Sequence, residues 1–353
     1  NYDPLPFPGT LLPQLVFGSD RDDGTILGAG VRLTQHGLRK RPYARSHVLT
    51  ASYALATKAV EVAYAGHYVA DFKGWDLMMN AHWRNADNTH NFFGFGNETT
   101  SNSDEDAFNQ ARLSQTTLAP GFQKQTASGL TLGFGTHLDI TDVRQDTTRF
   151  IGTPEADLPT RTFGEQSYLG VHAHMAFGDT DRLTNPRQGI RWTSNAAFKV
   201  GIREARGNFA TLRSALVFYV SPRLSPQLTL ATRVGAAHII GDFPFYYAST
   251  LGGDENLRGY RNERFSGRTS FFQNVELRMA LLSFVSYAAL GEAGVLGFFD
   301  NGRVWHDDES SSLWHQGYGG GLWISLFDAF VMTGTLGFSE EEEVFKLKFG
   351  FLY

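Results

Sequence analysis

The chain has 353 residues, no cysteine, and a formal net charge of −5 from 31 Lys and Arg against 36 Asp and Glu. This excludes disulfides, thiolate metal sites and thiol nucleophiles, and it leaves no basic footprint for nucleic acid. Charged residues make up only 19%, aromatics reach 14% and glycines number 38, a mix that suits a β-rich protein with aromatic girdles and tight turns. The longest uncharged apolar stretch, 279–291, is shorter than the about 20 residues a spanning helix needs, whereas a spanning strand needs only about 9–11.

In chain order, residues 1–12 form a segment with Pro4, Pro6 and Pro8, and Pro13 follows directly. This is too proline-rich for a strand or a helix. From 13 to 353 the chain alternates large and small or polar residues. Strands are predicted near 14–20, 25–35, 45–57, 60–71, 74–84, 107–118, 128–140 and 166–178. They continue near 189–201, 207–220, 226–238, 270–281, 294–305, 315–326, 329–338 and 344–353. In 190–200, Ile190, Trp192, Ala196, Phe198 and Val200 share one face, and Arg191, Thr193, Asn195 and Lys199 the other. In 345–353, Phe345, Leu347, Phe349, Phe351 and Tyr353 oppose Lys346, Lys348 and Gly350. A period of two over such lengths is the signature of a membrane strand.

The expected fold is all-β: a 16-stranded antiparallel transmembrane β-barrel with a long inward-folded loop. Short turns such as 57–59 and 222–226 are assigned to the periplasmic side, and the long connections 85–106, 141–165, 239–269 and 306–314 to the outside. A soluble β-sandwich is the competing architecture, but its strands would be shorter.

The most informative stretch is GGDENLRGYRNERFSG at 252–267, which crowds Arg258, Arg261 and Arg264 just ahead of Arg268 and places Gly259 and Tyr260 between the first two. In the strand after it, Val275, Leu277, Met279 and Leu281 take the lipid face, so Asn274, Glu276 and Arg278 face the lumen. Asp300 falls on the next strand. A basic loop folded inward would meet these two carboxylates, and guanidinium pairs well with carboxylate. On the residues alone, arginines that merely line a water-filled pore stay open as the alternative.

LRGY at 257–260, QNVELR at 273–278, GFFDNGRVW at 297–305 with Phe298, Asp300 and Gly302, and GYGGGLWI at 317–324 follow one another in a particular order. With FFGFGNET at 92–99, DRLTNPRQG at 181–189 and the aromatic end Tyr353, they resemble the BamA/TamA-like outer-membrane assembly and translocation superfamily. The resemblance implies an integral, multi-pass barrel of the bacterial outer membrane that inserts or translocates a protein or a lipid. It assigns Arg258 to a loop-to-wall lock with Glu276 and Asp300. Gly259 would allow close approach and Tyr260 would wedge against the wall, with Arg261, Arg264 and Arg278 as supporting lumen residues. It implies outer-membrane lipid (lipopolysaccharide or phospholipid) around the barrel, a client protein or lipid, and a periplasmic partner, and it allows a homodimer. Relatives usually carry POTRA domains ahead of the barrel; this chain is read as the barrel-only form, or as one from which those domains were cut away.

A weak lateral seam is expected between the first and last strands. Gly18 and the DRDDG turn start the first strand poorly, and Phe349, Phe351 and Tyr353 line the other side. No catalytic residue, cofactor or metal site is expected: there is no Gly-x-Ser-x-Gly elbow, no His-Glu-x-x-His and no complete dinucleotide loop. His172 and His174 read as polar lumen lining, and the run Glu340–Glu343 as a solvated turn. A passive diffusion pore, or an anchor or secretion pore for a missing passenger enzyme, are the rival functions.

Overall fold

The computed structural model describes residues 9–37, 40–101, 107–205, 207–224, 226–285, 290–307 and 309–353. Pro4, Pro6 and Pro8, and part of the polar loop at 97–108, lie outside the described residues. The strands are Gly9–Asp20 (β1), Gly24–Gly37 (β2), Lys40–Ala54 (β3), Val60–Phe72 (β4), Trp75–Arg84 (β5) and the short Thr89–Asn91 (β6). Next come Gln110–Gln125 (β7), Leu130–Val143 (β8), Gly164–Thr180 (β9), Gly189–Arg203 (β10), Asn208–Val220 (β11) and Leu228–Gly241 (β12). The short Ser249–Leu251 (β13) and Phe265–Gly267 (β14) precede Thr269–Val285 (β15), Leu290–Trp305 (β16), His315–Leu326 (β17), Phe330–Phe338 (β18) and Glu343–Phe349 (β19).

Setting aside the three short strands, 16 antiparallel strands form a nearly closed barrel, as the alternation predicts. Antiparallel ladders run from β1 to β5, from β5 to β7, on to β12, then to β15 and through to β19. Trp192 pairs with Phe177 and Phe198 with Val171 on the outer face, while Asn195 pairs with His174 on the inner one. The outer face is a belt of exposed apolar side chains, among them Leu15 at 89% and Leu322 at 68% exposure. A water-soluble surface rarely tolerates such a belt, and a lipid-facing wall requires it. Among the described residues no helix is long and apolar enough to cross a membrane; the strands supply the span.

Antiparallel order sends successive connections to opposite ends. The long ones, 85–109, 144–163, 242–268 and 306–314, all fall at one end. The 55–59 turn lies there too, which corrects its assignment to the short-turn side: turn length alone does not reveal the end, strand parity does. The long-loop end carries the principal apolar core. Phe92, Leu113, Val143, Ile151, Phe245 and Tyr246 form one cluster, and Tyr168, Phe209, Ile239 and Phe243 an adjoining one.

Three further expectations change. β1 begins at Gly9 and takes in Pro13, paired with Val31. Proline is tolerated because β1 is an edge strand with a ladder on one side only. Gly18 sits in regular register opposite Ile26, so β1 does not start poorly. The shorter of the two end strands is β19, which stops at Phe349, ahead of Gly350 with φ +96°. Among the described residues no ladder joins β19 to β1; the two strands meet through Phe17 and Phe349, with ring centroids 6.3 Å apart.

The face assignment gives an expected outcome. Trp192→Arg and Phe198→Arg put a charge in lipid and should impair membrane assembly by about 2–4 kcal/mol near the midplane, whereas Asn195→Arg should assemble normally. Heat-modifiable migration on a gel measures assembly, and equal behaviour of all three would shift the register by one residue.

Candidate functional site

The 242–268 loop supplies the site. Its base is clipped by β13 and β14, paired from Ser249↔Gly267 to Leu251↔Phe265. Beyond the clip the chain reverses at Gly252 and Gly253, with φ of 133° and 66°, and makes a single helical turn, Gly253–Asn256. Asn256 ties this bend together: its Oδ1 accepts from the Gly252 amide at 2.9 Å and its Nδ2 donates to the Thr250 carbonyl at 3.0 Å. Asn274 of β15 donates to the Asn256 carbonyl at 2.8 Å, which hangs the turn on the barrel wall.

The next residues carry the charge. Arg258 Nε and Nη2 donate to the two oxygens of Asp300 at 2.7 and 2.8 Å, and its backbone N–H adds a third bond at 3.0 Å. Its Nη1 reaches Glu276 Oε2 at 2.5 Å, and its guanidinium lies 3.7 Å over the Phe298 ring. Arg278 donates to the other Glu276 oxygen at 2.7 Å. Arg258, Glu276, Asp300 and Arg278 are 7%, 1%, 0% and 2% exposed. Two carboxylates and two guanidiniums make a neutral set, the condition under which buried charge is tolerable. Burial alone would lower the Arg258 guanidinium, but its bonds to Asp300 and the charges of Asp300 and Glu276 outweigh that and hold it above its ordinary range.

Glycines let the loop lie this close. Gly259 has φ +93°, and a Cβ there would come within 2.7 Å of the Phe338 carbonyl. A Cβ on Gly317 would overlap the Arg258 carbonyl, and one on Gly337 would stand 3.0 Å from the Gly259 nitrogen. The glycine-rich β17 and Gly337 of β18 therefore form a flat shelf for the LRGY backbone. Tyr260 packs with Leu251, Leu257, Phe265, Phe272 and Val304. Burial, and then the charges of Glu341 and Glu340, push its phenol up to about 12.

The other arginines divide. Arg264, 1% exposed, donates to both Glu341 oxygens at 2.7 Å and to the Thr99 carbonyl at 2.6 Å, with Phe93 and Phe265 against its plane. Arg261, 5% exposed, lies 4.0 Å from Asp22. Arg268 pairs with Asp307 at the exposed end of the barrel, and its hydrogen bond lowers the Asp307 carboxyl. The acidic run between β18 and β19 is therefore not simply a solvated turn: Glu341 grips Arg264, and Glu342 pairs with Arg21. Sequence reasoning missed Glu341 and Thr99 as partners of the loop, which they meet across large sequence separations, and it placed Asn274 in the lumen without its bond to the loop.

The C-terminal aromatics also need correction. Beyond Gly350 the chain leaves the wall and turns inward. Phe351, 9% exposed, lies against Trp323 and under Arg278, whose guanidinium is 3.7 Å from its ring centroid. Arg278 donates to the Tyr353 carbonyl at 3.0 Å, and the Tyr353 hydroxyl donates to the Ala231 carbonyl at 3.0 Å. Phe349 is at the seam; Phe351 and Tyr353 are not. The attraction of Arg278 for an aromatic face and a carbonyl favours the inward path. His172 and His174 lie flat against Gly135 and Gly133 of β8.

Comparison with known proteins agrees with this geometry. The model of the Omp85 superfamily domain matches residues 50–326. No curated protein matches the chain. Among solved structures, BamA from Haemophilus ducreyi lacking POTRA domains 1-3 is similar with a TM-score of 0.67 at 13% identity, over 97% of this chain and 69% of that one. CdiB from Escherichia coli gives 0.61 at 13% identity, over 98% and 63%. CdiB from Acinetobacter baumannii gives 0.56 at 10%, over 97% and 59%. At these identities the likeness is one of fold, and the chain spans less than two thirds of the CdiB chains.

Removing one partner of a buried ion network costs about 3–5 kcal/mol, against roughly 0–1 for an exposed pair. Arg258→Ala is therefore expected to lower the unfolding temperature of the barrel far more than Arg268→Ala. Heat-modifiability read against temperature compares them, and equal melting would show that the Arg258 network carries no special weight.

Proposed function

The chain belongs to the Omp85 superfamily, and from that premise we propose that it is an outer-membrane barrel that inserts or translocates a macromolecule, protein or lipid, and acts neither as an enzyme nor as a passive pore. The observation that carries this reading is the Arg258 loop, folded inside the barrel and bonded to Asp300 and Glu276 at 2.5–2.8 Å. A diffusion pore gains nothing from filling its own lumen with a neutralised, desolvated network. A barrel that must let its wall move needs one region held rigid while another yields.

The yielding region in this proposal is the seam. β19 is short, no ladder joins it to β1 among the described residues, and Phe17 meets Phe349 edge-on across the gap. An unpaired strand edge can accept a strand of a client or admit a lipid. The wall from β15 to β18, which leads up to the seam strand β19, carries the lock and stays closed. The family and the apolar belt support an outer-membrane location. Lipopolysaccharide or phospholipid surrounds that belt, and a periplasmic partner delivers the client.

The test uses cysteines, which the native chain lacks. Paired substitutions Phe17→Cys and Phe349→Cys should form a disulfide across the seam. Reconstituted into liposomes, the wild type should speed either the folding of an unfolded outer-membrane barrel or the transbilayer movement of a labelled phospholipid. The oxidised double mutant should lose that activity and regain it on reduction. Full activity in the locked form removes the seam from the mechanism. Solute leakage without either activity would favour the passive pore.

A further inference from the structure

The connection between β9 and β10, residues 181–188, belongs to the motif DRLTNPRQG and takes no part in the loop lock. It leaves the wall at the end opposite the long loops. Its own shape is set by Asp181, whose Oδ1 accepts from the amides of Arg187 and Gln188 at 2.8 and 3.1 Å. Pro186 restricts the backbone beside Arg187, and Asn185 is 4% exposed. A connection so built could end against its own strands. Besides bonds within its own hairpin, Arg191 to the Leu183 carbonyl at 2.8 Å and Thr180 to the Arg182 carbonyl at 3.0 Å, and one from Gln188 to the Ser221 carbonyl at 3.3 Å, it makes contacts well around the wall, past β11, β12 and β15. Arg187 Nη2 donates to both oxygens of Glu292 on β16 at 2.7 and 2.6 Å. Thr184 Oγ1 donates to the Asp328 carbonyl at 2.7 Å, and Arg182 lies 3.4 Å from the Asp328 carboxylate, in the turn between β17 and β18. The segment is thus a chord drawn beneath the lumen.

We propose that 181–188 is a strap that closes the short-turn mouth of the barrel, latched by Arg187 on Glu292, and that it swings aside to admit material from that side. The two ends of the molecule differ in what holds them. The long-loop end is sealed by buried apolar clusters and by the desolvated arginine loop. The strap is held to the far wall by polar contacts, and the Arg187 and Glu292 side chains keep 20% and 23% of their surface in water. Screened pairs break at little cost, and segments with few buried apolar contacts open first. Glu292 follows Leu290 and Gly291 at the start of β16, on the wall that carries Asp300 of the lock further along the same strand. An opening strap therefore releases the base of the strand that the Arg258 loop holds at its middle.

A reporter cysteine reads the mouth directly. Thr193 lines a lumen cavity of about 190 Å³ together with Arg213 and Arg233. Thr193→Cys should react with a bulky, water-soluble maleimide slowly in the latched barrel. Arg187→Glu or Glu292→Arg should raise the labelling rate about fivefold or more, the factor that the loss of about 1 kcal/mol produces. The double reversal, Arg187→Glu with Glu292→Arg, should return it to near the starting rate, with heat-modifiability confirming a folded barrel in each case. Should a reversal fail to fold, Arg187→Gln supplies the same comparison. Equal labelling rates in the folded variants, or a double reversal as open as the single ones, would overturn the strap.

Discussion

A buried, neutral set of four charges organises this barrel. Arg258 enters from the loop, Glu276 and Arg278 stand on β15, and Asp300 stands on β16. None of the four could be buried alone, since an isolated charge in so dry a place would cost several kcal/mol. Each is tolerable only because the others are there. The network is accordingly all or nothing: the loop must come fully inward, the two strands must be in register, and the glycine shelf of β17 and β18 must leave room for the LRGY backbone. Its value lies in this conditional geometry more than in net stability, which buried ion sets contribute weakly.

The distribution of apolar surface explains what surrounds it. In a soluble protein the large side chains gather in one core. Here they are split between an outward belt facing lipid and clusters at the long-loop end, where connections from β5, β8 and β12 pack on one another. The lumen is left polar. A polar lumen can hold an arginine loop only through specific partners, and the structure provides them in pairs: Glu341 with Arg264 and Asp300 with Arg258. The lid at the long-loop end is therefore apolar where loops meet loops and ionic where the loop meets the wall.

The arginine network and the barrel's unpaired edge lie on neighbouring stretches of the wall, since β18 pairs directly with β19. β15 and β16 carry Glu276, Arg278 and Asp300 on one long ladder with a register shift between Ala280 and Leu282, while β19 stops ahead of Gly350 and Arg278 bonds the chain beyond it. Arg278 thus touches both the Arg258 network and the chain end, a contact that an alternating pattern running to Tyr353 conceals.

Much of this architecture is legible in residue order alone. A period of two over long segments, the position of long connections, and the carboxylates facing inward after the basic loop are local properties. They depend on covalent geometry and on which face of a strand meets lipid, so the strand count and the faces of β10 and β15 follow from them, whereas the pairing of Arg258 with Glu276 and Asp300 is implied only by the resemblance. The rest is decided only when the wall curves round. Arg264 finds Glu341 77 residues away, and Arg187 finds Glu292 105 residues away. Nothing local selects these carboxylates among 36 acidic residues. The inward turn after Gly350 is likewise a choice between lipid outside and an arginine face inside. Periodicity records how each strand meets its surroundings; which groups meet across the lumen depends on barrel closure, and only the tertiary structure supplies that.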